Sequence, residues 1–98
     1  TTVGGEPLQV PVFAPRPNPF NSHTEFGFYS EGGATEVTVY SVLGQPVRQL
    51  VNRALSVGYY SRIWDGRDNA GNPVGTGVYL IHFQIGLSTY THRVALLR

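Results

Sequence analysis

The sequence predicts an all-β chain, folded as a sandwich of two antiparallel sheets with about seven strands. Three observations predict it. Apolar residues recur with period two almost throughout, and no stretch places them at i, i+3, i+4 and i+7 as an amphipathic helix would. The apolar runs are short and return about every ten residues, as sandwich strands do. Between the runs stand Gly, Pro, Asn and Ser, the residues whose backbone preferences build turns.

Taken in order, residues 1–7 read as a linker remnant, because small and Gly-rich residues leave a chain flexible, and residues 8–98 as one domain. Opening on Thr rather than Met, the chain is expected to be an excised piece of something longer. Leu8 to Ala14 alternates, with Leu8, Val10 and Val12 on one face. Pro11 has no N–H to give to a ladder, which confines this strand to an edge. In PRPNPFN each proline fixes its own φ and pushes its predecessor out of the helical region, so a rigid extended connector is expected. HTEFGFYS then points Thr24, Phe26 and Phe28 one way, EGGA turns, and TEVTVYSV sends Val37 and Val39 inward. Gly44 is placed to take a positive φ and fold the chain back into Val47 to Val51 as a hairpin.

GYYSRIW sets Tyr60, Arg62 and Trp64 against Tyr59, Ser61 and Ile63. The tryptophan's side is assigned to the core, because indole carries the larger apolar area. Arg62 falls on that side and is expected near the end of the sandwich, with its stem buried and its head in water. GVYLIHFQIG and STYTHRVALLR make a last hairpin across Gly86 to Ser88, with Tyr79, Ile81, Phe83 and Ile85 matched to Val94 and Leu96.

Composition limits what such a chain can do. Its 98 residues are 41% hydrophobic and 12% aromatic, enough for one modest core. Charged residues make up 13%, below the ~25% usual for soluble domains, so the surface is neutral and rich in hydroxyls. The net charge is +1, and the seven basic residues are all arginine and scattered. That gives no cationic surface for nucleic acid or an anionic membrane. Without cysteine there is no disulfide, thiolate zinc site or cysteine nucleophile. No apolar run approaches the roughly 18 residues that cross a bilayer, and TTVGGEPLQV lacks the basic and apolar regions of a signal peptide.

The stretch WDGRDNAGNPVGTGVY, Trp64 to Tyr79, gathers the oxygen-bearing side chains of Asp65, Asp68, Asn69 and Asn72. An EF-hand loop needs D-x-[DN]-x-[DN]-G and a later Glu, whereas D-G-R-D-N-A-G-N has a different order and no closing Glu. The stretch is therefore read as a turn, with Asp and Asn bonding nearby amides and Gly66, Gly71, Gly75 and Gly77 supplying unusual φ/ψ. Neither a metal nor a cofactor is expected. Catalysis is equally unsupported. The histidines are His23, His82 and His92, and Ser22, Ser30 and Ser88, the serines near them, lie in no G-x-S-x-G setting. His82 and His92 are symmetric about Leu87 and are expected to face each other across the last hairpin, where two imidazoles could share a metal. A third ligand is missing, and a solvated cross-strand pair is the commoner meaning of such a placement.

PNPFN, VYSVLGQPV, GYYSRIWDGRDNAGNPVGTGVYLIHF and HRVALLR stand in this order between Pro17 and Arg98. Together they resemble the C-terminal sorting domain of the type IX secretion system and the related Ig-like domain of the flagellar hook capping protein. The resemblance implies an Ig-like sandwich of seven strands, carried at the end of large secreted proteins of Bacteroidetes-type bacteria. It implies an address rather than an enzyme. The partners it implies are an N-terminally attached cargo protein, the outer-membrane translocon, and a sortase-like peptidase that commonly cleaves the domain off. The cargo would pass through the periplasm and end at the cell surface or outside the cell.

By the same resemblance the sorting motif falls on Pro17, Asn18 and Pro19, on Gly77 and Tyr79, and on Arg93, Val94, Leu96, Leu97 and Arg98. The final strand would serve recognition through an exposed edge that offers backbone donors and acceptors to a receptor strand, with Leu96 or Leu97 and the Arg98 head adding specificity. Two positions depart from the family's habit: Arg62 stands where a small apolar residue is usual, and Arg93 where lysine is frequent. The alternative is an accessory module of a large secreted enzyme, stacking sugars on Tyr29, Tyr40, Tyr59 and Tyr90 if several of these lie coplanar on one sheet. A third reading is a passive stalk or assembly domain.

Overall fold

The computed structural model describes residues 12–98, so Leu8, Val10, Pro11 and the boundary between residues 1–7 and 8–98 lie outside the described residues. Seven strands follow one another: β1 (Val12–Arg16), β2 (Thr24–Ser30), β3 (Gly33–Ser41), β4 (Pro46–Leu55), β5 (Gly58–Trp64), β6 (Gly77–Ile85) and β7 (Ser88–Leu96). They form a three-stranded sheet in the order β1-β2-β5 and a four-stranded sheet in the order β4-β3-β6-β7, with every neighbouring pair antiparallel. There is no helix among the described residues. This is the Ig-like sandwich.

Alternation explains the layers. On β2 the inward set is Thr24, Phe26 and Phe28, all buried. Across the sandwich they meet Val37 and Val39 of β3, Ile81 and Phe83 of β6, and Val94 and Leu96 of β7. Phe26 meets Phe83 edge to face at 5.3 Å, an arrangement that aromatic quadrupoles favour. Trp64 is 0% exposed, packs between Phe20 (5.5 Å) and Tyr79 (5.2 Å), and gives its indole N–H to the Arg67 carbonyl at 3.0 Å. The buried hydroxyl of Thr24 is satisfied by the Pro17 carbonyl at 2.8 Å.

Four expectations need correction. PRPNPFN is not a uniformly extended connector: it bends over Pro17 to Pro19, and Phe20 then returns to an extended bridge beside Leu96. The strand read as Val47 to Val51 runs on to Leu55, with irregular register against β3 at two places. Arg62 does face inward, but it stands mid-strand opposite Phe26 and not near the sandwich end. Its head escapes sideways because β5 is an edge strand; the guanidinium gives a hydrogen bond to the Ser61 carbonyl at 2.7 Å and lies 6.0 Å from the Tyr60 ring centroid.

The fourth correction concerns the last hairpin. Ile85 pairs with Ser88, so the turn is the two residues Gly86 and Leu87, and the ladder is centred between them rather than on Leu87. Half a residue of displacement puts the two histidines on opposite faces, since side chains alternate strictly. His82 pairs with Thr91 and shares a 3.1 Å hydrogen bond with its hydroxyl on the outer face. His92 pairs with Ile81 and turns inward, edge-on to Phe83 at 6.2 Å. They cannot share a metal.

Candidate functional site

The motif residues are scattered in sequence and meet around the second half of β7. Tyr79 and Gly77 pair with Val94 and Leu96 from the β6 side. Residues 18–20 lie on the other side. There the Asn18 carboxamide copies a peptide group: Nδ2 donates to the Arg93 carbonyl and Oδ1 accepts from the Ala95 amide, each at 3.0 Å. One step on, the Phe20 amide donates to the Ala95 carbonyl at 2.9 Å and the Leu97 amide to the Phe20 carbonyl at 2.8 Å. Four hydrogen bonds thus close the edge of β7 from Arg93 to Leu97. The expected exposed strand edge at this end of β7 is therefore absent. The bends at Pro17 to Pro19 bring Asn18 alongside, and buried Phe20 anchors the segment against Trp64.

Alternation divides the terminal residues. Val94 and Leu96 are 0% exposed in the core, so they are structural. Arg93, Ala95 and Leu97 point outward, with Leu97 53% exposed. Arg98 is not a free head either. Its Nε donates to the Val74 carbonyl and Nη2 to the Gly66 carbonyl, both at 2.7 Å, while its amide bonds the Thr76 hydroxyl at 2.9 Å. Gly66 has φ +73°, a backbone conformation that favours glycine, and a Cβ there would stand 2.7 Å from Arg98 Nη2, so a larger residue would be strained and would push the guanidinium aside. Pro17 and Pro19 are exposed, and Gly77 is half-buried.

Tyr79 has a more specific place than an ordinary inward aromatic. Its hydroxyl donates to the Gly75 carbonyl at 2.7 Å, four residues back, as a tyrosine corner at the start of an Ig strand does. Tyr60 does the same toward the Ser56 carbonyl at 2.8 Å. Both sit in G-x-Y at a strand start, and that repeated spacing is the signal from which the geometry could have been read. Phe20, Val74 and Thr76 complete the site without having been singled out in the sequence. Of these, only Phe20 announces itself, as the one apolar residue of PNPFN.

The aspartates of the β5–β6 loop hold backbone. Asp68 Oδ1 accepts from the Ala70 amide at 3.0 Å and the Asn72 amide at 2.9 Å. Asp65 Oδ1 accepts from the Arg67 amide at 3.2 Å and pairs with Arg48 at 3.2 Å, a solvent-exposed ion pair of small worth. Asn69 works as an added strand residue: its amide donates to the Val47 carbonyl and its side-chain oxygen accepts from the Gln49 amide. The loop therefore caps part of the outer edge of β4. Among the described residues no three His, Asp or Glu side chains converge.

The remaining candidate surfaces are weaker. Ser22 Oγ lies 3.1 Å from His23 Nδ1 on an exposed connector, between sequence neighbours. The four tyrosines proposed as a sugar platform divide: Tyr29 and Tyr59 share the outer face of the β1-β2-β5 sheet, Tyr40 lies on the other sheet's outer face, and Tyr90 packs against the core. The Tyr29 and Tyr59 rings are inclined by 58°, so the coplanar platform is not formed. Beside them, Phe13, Arg16, Glu25 and Gly27 line a shallow depression of about 270 Å³, below the usual range of ligand pockets.

Residues 18–85 match the family of the FlgD Ig-like domain. The chain belongs to that family. Its fold is also similar to a solved structure of PorZ, described as an essential bacterial surface component of the type-IX secretion system of human oral-microbiomic Porphyromonas gingivalis. That likeness has a TM-score of 0.63 at 19% identity and covers 89% of this chain. It covers 11% of the PorZ chain, so this chain corresponds to one small part of that protein. No curated protein matches it.

Proposed function

We propose that this chain is a sorting domain of the type IX secretion system, an address without catalytic activity of its own. The observation that carries the reading is the convergence of Asn18, Gly77, Tyr79, Arg93, Val94, Leu96 and Arg98 around one strand end, although they span most of the sequence. Membership of the FlgD Ig-like family and the fold shared with part of a type IX surface component support it. The attached cargo lies N-terminal. It passes through the periplasm, is received by the outer-membrane translocon and a sortase-like peptidase, and ends at the surface or outside.

The test is a fluorescent cargo with a periplasmic signal peptide, with and without this chain at its C-terminus, in a host that has the secretion system. The reading requires surface fluorescence that depends on both the chain and the translocon. Cargo that stays in the periplasm with the chain attached refutes it. Deleting Val94 to Arg98 is a poor test, because it takes two fully buried side chains and unfolds the address instead of blanking it.

A further inference from the structure

The outer face of the β4-β3-β6-β7 sheet has two unlike halves. Toward the Gly86 turn its polar side chains satisfy one another: Gln49 donates to Glu36 at 3.0 Å, and His82 bonds Thr91. Toward the motif end the outward rungs are Tyr40, Leu80 and Arg93, then Val78 and Ala95, then Leu97. Val78 is 39% and Leu97 53% exposed, so this strip is open to solvent. One charge stands on it. Arg93 has no carboxylate partner among the described residues, the ion pair they hold being Arg48 with Asp65.

Building on the sorting reading, we propose that this strip is the docking surface for a protein partner that presents an apolar side chain to Val78, Ala95 and Leu97 and a carboxylate to Arg93. The choice of occupant follows from charge. An unpaired guanidinium at the rim of an apolar strip suits one forked carboxylate. A membrane surface is held by several cations together, and this chain's arginines are scattered. Recognition through a face also fits the closed edge of β7. With Asn18 and Phe20 occupying the backbone groups of Arg93 to Leu97, what β7 offers there is its outward side chains.

The experiment uses the full chain fused to the fluorescent cargo, with Val78→Glu, Arg93→Glu and Arg93→Lys on the strip. Ile63→Glu, on the opposite sheet's outer face and equally open, is the control. Thermal melts of the purified variants separate misfolding from lost docking, and Arg93→Glu carries the test should Val78→Glu lower the melting point. Surface cargo should fall roughly tenfold or more for Val78→Glu and Arg93→Glu, as when an interface anchor is lost, with Arg93→Lys in between and Ile63→Glu unchanged. Unchanged export of the two Glu variants on the strip overturns the docking surface while leaving the sorting role standing. An equal loss in Ile63→Glu overturns it as well. Arg93-dependent binding to anionic vesicles would replace the protein partner with a membrane. Failure of the unaltered chain to export cargo refutes the sorting role itself.

Discussion

Replacing Asn18 with alanine removes the two hydrogen bonds through which its carboxamide closes the β7 edge, one to the Arg93 carbonyl and one from the Ala95 amide, both 3.0 Å. Each neutral bond of this kind is worth about 0.5–1.5 kcal/mol net, so the change should cost about 2 kcal/mol. For a domain of this size that lowers the melting temperature by about 8–16 °C. Thermal and urea denaturation read the loss, and amide exchange locates it. Protection should fall at Ala95 while the β6–β7 ladder keeps its own. Asn18→Asp sharpens the test, because it keeps the shape and the acceptor but sets a carboxylate oxygen against the Arg93 carbonyl. The variant should therefore be less stable than the unaltered chain at neutral pH, where the carboxylate has no proton to give to the Arg93 carbonyl. A melting point for Asn18→Ala within about 2 °C of the unaltered chain, with Ala95 still protected, would show that the carboxamide does not close this edge.

Four further outcomes follow from the same geometry. Trp64→Ala should cost about 3–5 kcal/mol, read as a lower denaturation midpoint, because a fully buried indole and its bond to Arg67 are lost together. Calorimetric titration with calcium should show no site tighter than millimolar. Asp68→Ala should instead destabilise by about 1–2 kcal/mol, since two amides lose their acceptor. Tyr79→Phe should cost about 0.5–1.5 kcal/mol with its ring packing retained, and an unchanged midpoint would mean that the bond to Gly75 adds nothing to the corner.

The strands were legible because burial on one face enforces period two, and a core of this size leaves few positions free of that rule. Thr24, Phe26 and Phe28 illustrate it, as do Val37, Val39 and Trp64. Register was less legible. The two-residue turn at Gly86 and Leu87 and a three-residue turn across Gly86 to Ser88 suit the same sequence, yet they differ in whether His92 faces the core. Arg62 failed for a related reason: alternation gives its face correctly, but whether an inward cation reaches water depends on strand order, which no local pattern contains. Fold-back of PRPNPFN onto β7 was hidden too, because it joins Asn18 to Arg93 and Ala95 across 75 and 77 residues.

That hidden contact changes what the terminal strand offers to solvent. An open strand edge invites pairing with any available strand, so a folded chain benefits from having it covered. Here the covering uses Asn18 and Phe20 on one side of β7, while on β4 the loop residue Asn69 plays a comparable part beside Val47 and Gln49. Both are side-chain or short-segment substitutes for a missing strand. The consequence is a division of labour along β7 with a period of two. Val94 and Leu96 hold the core, the backbone of Arg93, Ala95 and Leu97 is taken by the Asn18–Phe20 segment, and the outward side chains of those three residues are left over. A slip of one residue would exchange the first set with the last and bury Arg93. The order of residues in HRVALLR is therefore constrained by folding and by the proposed docking at once, and variants at Arg93 and Leu97 are the ones able to separate the two.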